Sequence, residues 1–135
     1  MTTARGRGLA PVRTVLGNGA VVIAKKSPTT PAVTVHASLR AGTIFDPPNR
    51  TGLSHFVSRT IDCGTERRPA DRIADELDSR GVSLSTSVNR HSLSLVCTCM
   101  VEDLVPVLDL LADIVMHQTF PEDEVDTRRG EIITL

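Results

Sequence analysis

One amphipathic stretch constrains the fold of this chain more than any other: residues 51–65, with the sequence TGLSHFVSRTIDCGT. Its apolar and small side chains recur at the three- and four-residue spacing that places them on one face of an α-helix. These residues are Leu53, Phe56, Val57, Thr60 and Ile61. The opposite face would carry His55, Ser58 and Arg59. The stretch therefore predicts a helix that packs on one side and presents polar groups on the other.

The N-terminal part of the chain predicts a tail followed by a hairpin. Residues 1–11 contain two Gly, two Arg and a final Pro, and we expect them to form a flexible tail. Residues 12–16 and 20–25 predict two strands. They are joined at Asn18 and Gly19, a pair that favours the positive φ angles of a tight turn.

The rest of the chain alternates between strand and helix patterns. Alternation of apolar and polar residues or helical periodicity predicts six further elements. They are strands over 33–40, 82–88 and 92–100, and helices that begin at Pro69, after an N-cap at Asp103, and at Pro121. With residues 51–65, the order predicts an α+β fold in which helices pack on one face of a mainly antiparallel sheet.

Composition excludes several classes of protein. The 135 residues are enough for one domain with a hydrophobic core. The chain has no Trp or Tyr and only three Phe, so it offers no aromatic platform for stacked bases, and we expect no nucleic-acid partner. It also has neither the apolar core of a secretion signal nor a run of about 18 apolar residues, so we expect no membrane span.

The cysteines indicate a reducing compartment. The chain has three of them, Cys63, Cys97 and Cys99, and an odd number gives no disulfide framework. We therefore expect a cytoplasmic protein. Cys97 and Cys99 alternate with Leu93 and Leu95 on one predicted strand, which favours buried core positions over a metal site.

Residues 51–65 resemble the zinc-binding helix of the pitrilysin/insulinase family of metallopeptidases. In that family an inverted motif, H-x-x-E-H, lies in a run such as GLAHFLEHMLFKGT. Six residues match it: Gly52, Leu53, His55, Phe56, Gly64 and Thr65. Two further segments resemble family segments: residues 40–52, with their RAG, DP and TG, and the later FPEDEVDTRRG. The resemblance therefore covers almost all of residues 12–135.

The resemblance also implies where a zinc site would lie, and this chain departs from it. His55 remains as the first ligand, but the position of the glutamate base is Ser58 and that of the second histidine is Arg59. The family's third ligand, a glutamate, falls near Leu135, and Glu131 lies about one helical turn too early. Arginine has no lone pair to offer a metal, so we expect no bound zinc and no catalytic residue.

A second departure concerns the strand beside the metal. Active members carry an Asn-Ala pair there, and it corresponds in this chain to Ser85 and Thr86. These two residues could still belong to a strand that pairs with an extended peptide substrate.

The resemblance implies that residues 12–135 are the N-terminal part of a peptidase-like sandwich domain. We expect a catalytically inactive subunit that pairs with an active zinc metallopeptidase, or with a second peptidase-like domain, and helps to form a peptide-binding chamber. Two alternatives stay open. One is an active zinc metalloendopeptidase with an unusual ligand set around His55, and the other is a stand-alone, non-proteolytic interaction module.

Overall fold

A computed structural model describes residues 10–134, so residues 1–9 of the predicted tail and Leu135 lie outside it. The strands are β1 (Val12–Val15), β2 (Val21–Ala24), β3 (Ala32–Leu39), β4 (Leu84–Val88) and β5 (Leu93–Met100). The α-helices are α1 (Leu53–Thr60), α2 (Ala70–Asp78), α3 (Leu104–Met116) and α4 (Glu122–Ile133). The predicted order of strands and helices is confirmed. None of the helices within residues 10–134 is both long and apolar enough to span a bilayer.

β1 and β2 form a hairpin in a compact unit that ends at Pro31. The strands are antiparallel, with Val15 opposite Val21. In the turn, the backbone N–H of Ala20 donates to the Asn18 side chain at 3.0 Å. Gly19 has a φ of 86°, in the left-handed region that favours glycine. The predicted turn is confirmed, but of the pair only Gly19 has a positive φ, and Asn18 contributes its side-chain acceptor instead.

A second unit begins at Ala32 and contains a three-stranded antiparallel sheet in the order β3-β5-β4. The side chains of β5 alternate strictly, and those on one face are buried: Leu93, Leu95, Cys97 and Cys99. The opposite face of the sheet carries exposed polar residues, including Thr34 and His36 of β3 and Ser85 of β4. All three cysteines are buried free thiols, as the alternation predicts for Cys97 and Cys99.

Helices cover the apolar face of this sheet. Apolar side chains of α2 and α3 and the residue after α1 pack with the buried residues of β5 in one core. They are Ile61, Ile73, Leu77, Val107, Leu110, Leu111 and Ile114. Burial of such side chains contributes roughly 1.5–3 kcal/mol each relative to exposure, so this layer is the main source of stability. The predicted α+β class is thus confirmed.

The start of α3 differs from the prediction in its chemistry. The helix begins at Leu104 as expected, but Asp103 makes no side-chain capping hydrogen bond. Its carboxylate instead accepts a hydrogen bond from Arg80 Nη1 at 2.8 Å. Asp103 thus occupies the predicted N-cap position, but its side chain pairs with Arg80, which follows α2, and does not cap the helix.

Candidate functional site

The carboxylate of Asp46 anchors the start of α1. Its Oδ2 accepts a hydrogen bond from the backbone N–H of Gly52, and its Oδ1 accepts one from that of Ser54, both at 2.9 Å. The Ser54 hydroxyl also donates to Asp46, and to the carbonyl oxygen of Gly42 at 3.1 Å. These bonds, the one from the Ser54 hydroxyl above all, hold the pKa of Asp46 below its usual range. The preceding loop therefore fixes the position of α1.

α1 presents His55 and Arg59 to solvent but turns Ser58 inward. Ser58 is only 4% exposed, and its hydroxyl donates to the carbonyl oxygen of His55 at 2.7 Å. The carbonyl oxygen of Ser58 accepts a hydrogen bond from the Thr86 hydroxyl of β4 at 2.6 Å. The prediction that Ser58 lies on the exposed face was wrong, because α1 contacts both β4 and α4 and is covered on more than one side.

The side chains at the family's metal positions do not fit zinc. His55 could offer one nitrogen, but the Ser58 hydroxyl already donates to a helix carbonyl and Arg59 has no lone pair. Glu131, the carboxylate nearest in sequence to the third position, accepts a hydrogen bond from Arg128 at 2.9 Å. No cluster of three or more metal-binding side chains occurs among the residues that the structure describes, and Leu135 lies beyond them. The donor set therefore lacks both the second ligand and the base.

The structure separates the two residues predicted to line a substrate strand. Thr86 is opposite Leu95, which is fully buried, so its side chain points to the face that the helices cover. Ser85 is opposite Val96 and lies on the exposed face. Of the pair, Thr86 alone reaches α1.

A small polar pocket lies where α1 and the turn that follows it meet α4 and β4. Its volume is about 160 Å³, and it is lined by Arg59, Asp62, Thr86 and Arg128. We call it the arginine pocket. The Nε–H of Arg128 is buried and has no acceptor within residues 10–134. The sequence patterns did not point to Arg128 as a site residue, because a basic residue in the later part of a helix also suits the helix dipole. The available sequence signal was the pair of adjacent arginines, Arg128 and Arg129, in the later part of α4.

Cys63 lies next to Arg128 but is not a candidate nucleophile. Its side chain is buried, and it lines a second cavity of about 320 Å³ together with Arg128 and Leu77. Burial raises the pKa of the Cys63 thiol, although the Arg128 guanidinium acts in the opposite direction. A thiol with a raised pKa stays neutral near pH 7, so it does not neutralise Arg128.

Two relatives show how much of a longer protein this chain matches. It is 27% identical over 120 residues to cytochrome b-c1 complex subunit 1 of Caenorhabditis elegans, covering 89% of this chain and 25% of that protein. It is 25% identical over 128 residues to mitochondrial-processing peptidase subunit beta of Neurospora crassa, covering 95% of this chain and 27% of that one. The chain thus spans about a quarter of the length of these relatives.

A solved structure and a family model agree with this match. The fold is similar to that of a crystal structure of a peptidase M16 inactive domain from Pseudomonas fluorescens, with a TM-score of 0.86. The two chains are 17% identical, and the similarity covers 93% of this chain and 31% of that one. The model of the insulinase family, peptidase family M16, matches residues 21–134. Because that match spans most of the sequence, this chain belongs to the insulinase family of peptidases.

Proposed function

We propose that this chain is a catalytically inactive peptidase-like subunit or domain. It pairs with an active zinc metallopeptidase, or with a second peptidase-like domain, and contributes one wall of a peptide-binding chamber. One observation carries the proposal. The helix that bears the zinc motif in the family is folded and anchored by Asp46, while Ser58 and Arg59 stand in the places of the base and the second ligand.

The chemistry at these places supports the absence of catalysis. A zinc peptidase needs ligands with lone pairs and a base that activates the bound water. Ser58 is buried and donates to the carbonyl oxygen of His55, so its hydroxyl is directed away from any water above the helix. Arg59 would repel a dication at the ligand position. A folded helix without these functions suits a structural partner.

The relatives support the pairing. One is named as a subunit of the cytochrome b-c1 complex and another as a subunit of the mitochondrial-processing peptidase. The similar solved structure is described as an inactive domain. We also infer that residues 12–135 are the N-terminal part of a peptidase-like domain. The three free thiols support a reducing, cytoplasmic compartment for it.

Zinc content and peptide hydrolysis test the loss of catalysis. We expect the purified chain to contain less than stoichiometric zinc and to leave peptides intact, with His55→Ala and a chelator causing no change. Stoichiometric zinc that His55→Ala removes, with cleavage that the chelator stops, would refute the proposal and support the enzyme alternative.

Pairing needs a separate measurement. Co-expression with a family member of the same organism that has an intact H-x-x-E-H motif should give a complex in size-exclusion chromatography with light scattering. The complex should also cleave peptides faster than that member alone. If the two chains stay apart at micromolar concentration, the pairing proposal fails and the stand-alone module is favoured.

A further inference from the structure

The arginine pocket lies beside a strand edge. β4 pairs with β5 on one side, and within residues 10–134 no strand pairs with its other side. Thr86, in the middle of β4, lines the pocket and points to the face covered by the helices. The edge therefore carries free backbone donors and acceptors beside a polar pocket.

The pocket has unused donors for an anion. Among the described residues, the guanidinium of Arg59 has neither a hydrogen-bond nor an ion-pair partner. Arg128 donates to Glu131 through Nη1, but its buried Nε–H has no acceptor in the same range. Asp62 also lines the pocket, and within residues 10–134 it forms no ion pair with either arginine. Two guanidinium groups beside one carboxylate leave the pocket with a net positive charge, which favours an anion.

We propose that the arginine pocket binds one carboxylate of an extended peptide that pairs with the free edge of β4. This inference rests on the proposed role in a peptide-binding chamber. A guanidinium fork matches the two oxygens of a carboxylate. The carboxylate of Asp62 in the same pocket disfavours a doubly charged phosphate, so a singly charged carboxylate is the better ligand.

The strand geometry gives the peptide a register. In a paired strand, side chains alternate between the two faces, and residues opposite each other point the same way. A peptide residue opposite Thr86 therefore directs its side chain toward the arginine pocket. Backbone pairing along β4 supplies affinity for any extended peptide, and the pocket supplies selectivity for an acidic residue. The carboxylate can come from a Glu or Asp side chain or from the peptide's C-terminus.

A set of labelled peptides tests the selectivity. Two β-forming peptides with blocked ends are identical and uncharged except at their centre, where one carries Glu and the other Gln. A third peptide carries Gln with a free C-terminal carboxylate close to it. Fluorescence anisotropy at low salt gives the dissociation constants for the full chain. We expect the Glu peptide to bind about tenfold more tightly than the Gln peptide, from one charge-assisted interaction. Tighter binding of the third peptide would assign the pocket to a C-terminal carboxylate.

Two variants locate the effect. Arg59→Gln removes an exposed arginine of the pocket and should make the Glu and Gln peptides bind equally. Arg129→Gln removes an exposed arginine of α4 that is not among the pocket residues and should leave the ratio unchanged. If both variants reduce the ratio of the two dissociation constants equally, the Glu peptide is held by general electrostatic attraction and the proposal is overturned.

An NMR titration separates this inference from the proposed function. Sodium acetate and inorganic phosphate are added while the side-chain Nε–H signals of Arg59 and Arg128 are followed. If the Glu and Gln peptides bind equally and acetate shifts neither signal, carboxylate binding in the arginine pocket is refuted. Peptide binding at β4 is then still supported. Acetate shifts without binding of any peptide would support the pocket and refute peptide pairing at β4. If acetate causes no shift and no peptide binds, both the pocket and the peptide pairing are refuted.

Discussion

At the residue scale, position 59 separates this chain from a metal-binding one. His55 and Arg59 are four residues apart on α1, and both are exposed. Residues at this spacing are neighbours on a helix surface, and two histidines so placed can bind one zinc ion. We expect Arg59→His to bind zinc in isothermal titration calorimetry at a concentration where the wild-type chain shows no heat of binding.

The matched control is Arg59→Gln, which removes the charge but adds no ligand. It should stay as inert toward zinc as the wild type, and His55→Ala combined with Arg59→His should lose the gain. None of these three variants should cleave peptides, because Ser58 still occupies the place of the base. Zinc binding by Arg59→Gln would show that charge repulsion alone, and not the missing ligand, excludes the metal.

The sequence predicted which residues depart from the zinc motif but not where their side chains point. Helical periodicity placed Ser58 with His55 on the outer face, yet β4 and α4 cover that side of α1. Periodicity describes one covered face and contains no information on a second partner. Asp113 was missed for a related reason. A carboxylate between apolar residues on the buried side of α3 was the available signal, but its partner Arg68 is distant in sequence.

At the element scale, the loop before α1 is held against the turn between β4 and β5. The backbone N–H groups of Thr43 and Ile44 donate to the carbonyl oxygens of Asn89 and Arg90, each at 3.0 Å. Gly42 permits this approach, because a Cβ atom there would lie 2.4 Å from the backbone of His91. In the sequence this segment stood out by its resemblance to a family segment, and the structure shows what it contacts.

We therefore expect Gly42→Ala to lower the free energy of unfolding by about 2 kcal/mol, as overpacking does. Urea denaturation measures the change. The matched control is Gly130→Ala within α4, where an added Cβ meets no atom within 4 Å. It should stabilise the chain by roughly 0.5 kcal/mol, the preference of a helix for alanine over glycine. Equal effects of the two changes would contradict a tight contact at Gly42.

The elements themselves were the most predictable part of the structure. Strict alternation in β3 and β5 gave their buried faces, since a side chain in a strand has only two directions. Helix ends were less predictable because each depends on a long-range partner. Asp46 anchors α1 across a loop, whereas Asp103 pairs with Arg80 and does not cap α3. Capping rules consider only residues next to the helix.

At the scale of the whole molecule, one arginine joins three parts of the second unit. Arg68, in the loop after α1, donates to Glu76 of α2 at 3.1 Å and to Asp109 of α3 at 3.0 Å. It also donates at 2.7 Å to Asp113 of α3, which accepts a further bond from the Thr65 hydroxyl at 2.6 Å. The carboxylate of Asp113 is 1% exposed and that of Asp109 is 59% exposed. The two aspartates thus form a buried and an exposed ion pair with the same cation.

This difference in burial predicts different costs for the same substitution. Asp113→Asn leaves the buried side of Arg68 without a counter-charge and should lower the free energy of unfolding by about 3 kcal/mol. Asp109→Asn removes an exposed partner and should cost at most about 1 kcal/mol. Urea denaturation of both variants at pH 7 measures the two losses. Similar losses would mean that solvent screens both pairs equally.

The pH dependence of stability tests the same network in the wild type. Burial acts to raise the pKa of Asp113, but the hydrogen bonds from Thr65 and Arg68 and the charge of Arg68 outweigh it, so the pKa lies below the usual range. A carboxylate with a lowered folded-state pKa contributes stability that is fully present above its unfolded pKa of about 3.9. That stability is lost as the pH falls through the lower folded value. The wild-type free energy of unfolding should therefore fall below about pH 4, more steeply than that of Asp113→Asn, whose amide does not titrate. Parallel curves for the two proteins in this window would show that Asp113 does not link the network to acid unfolding.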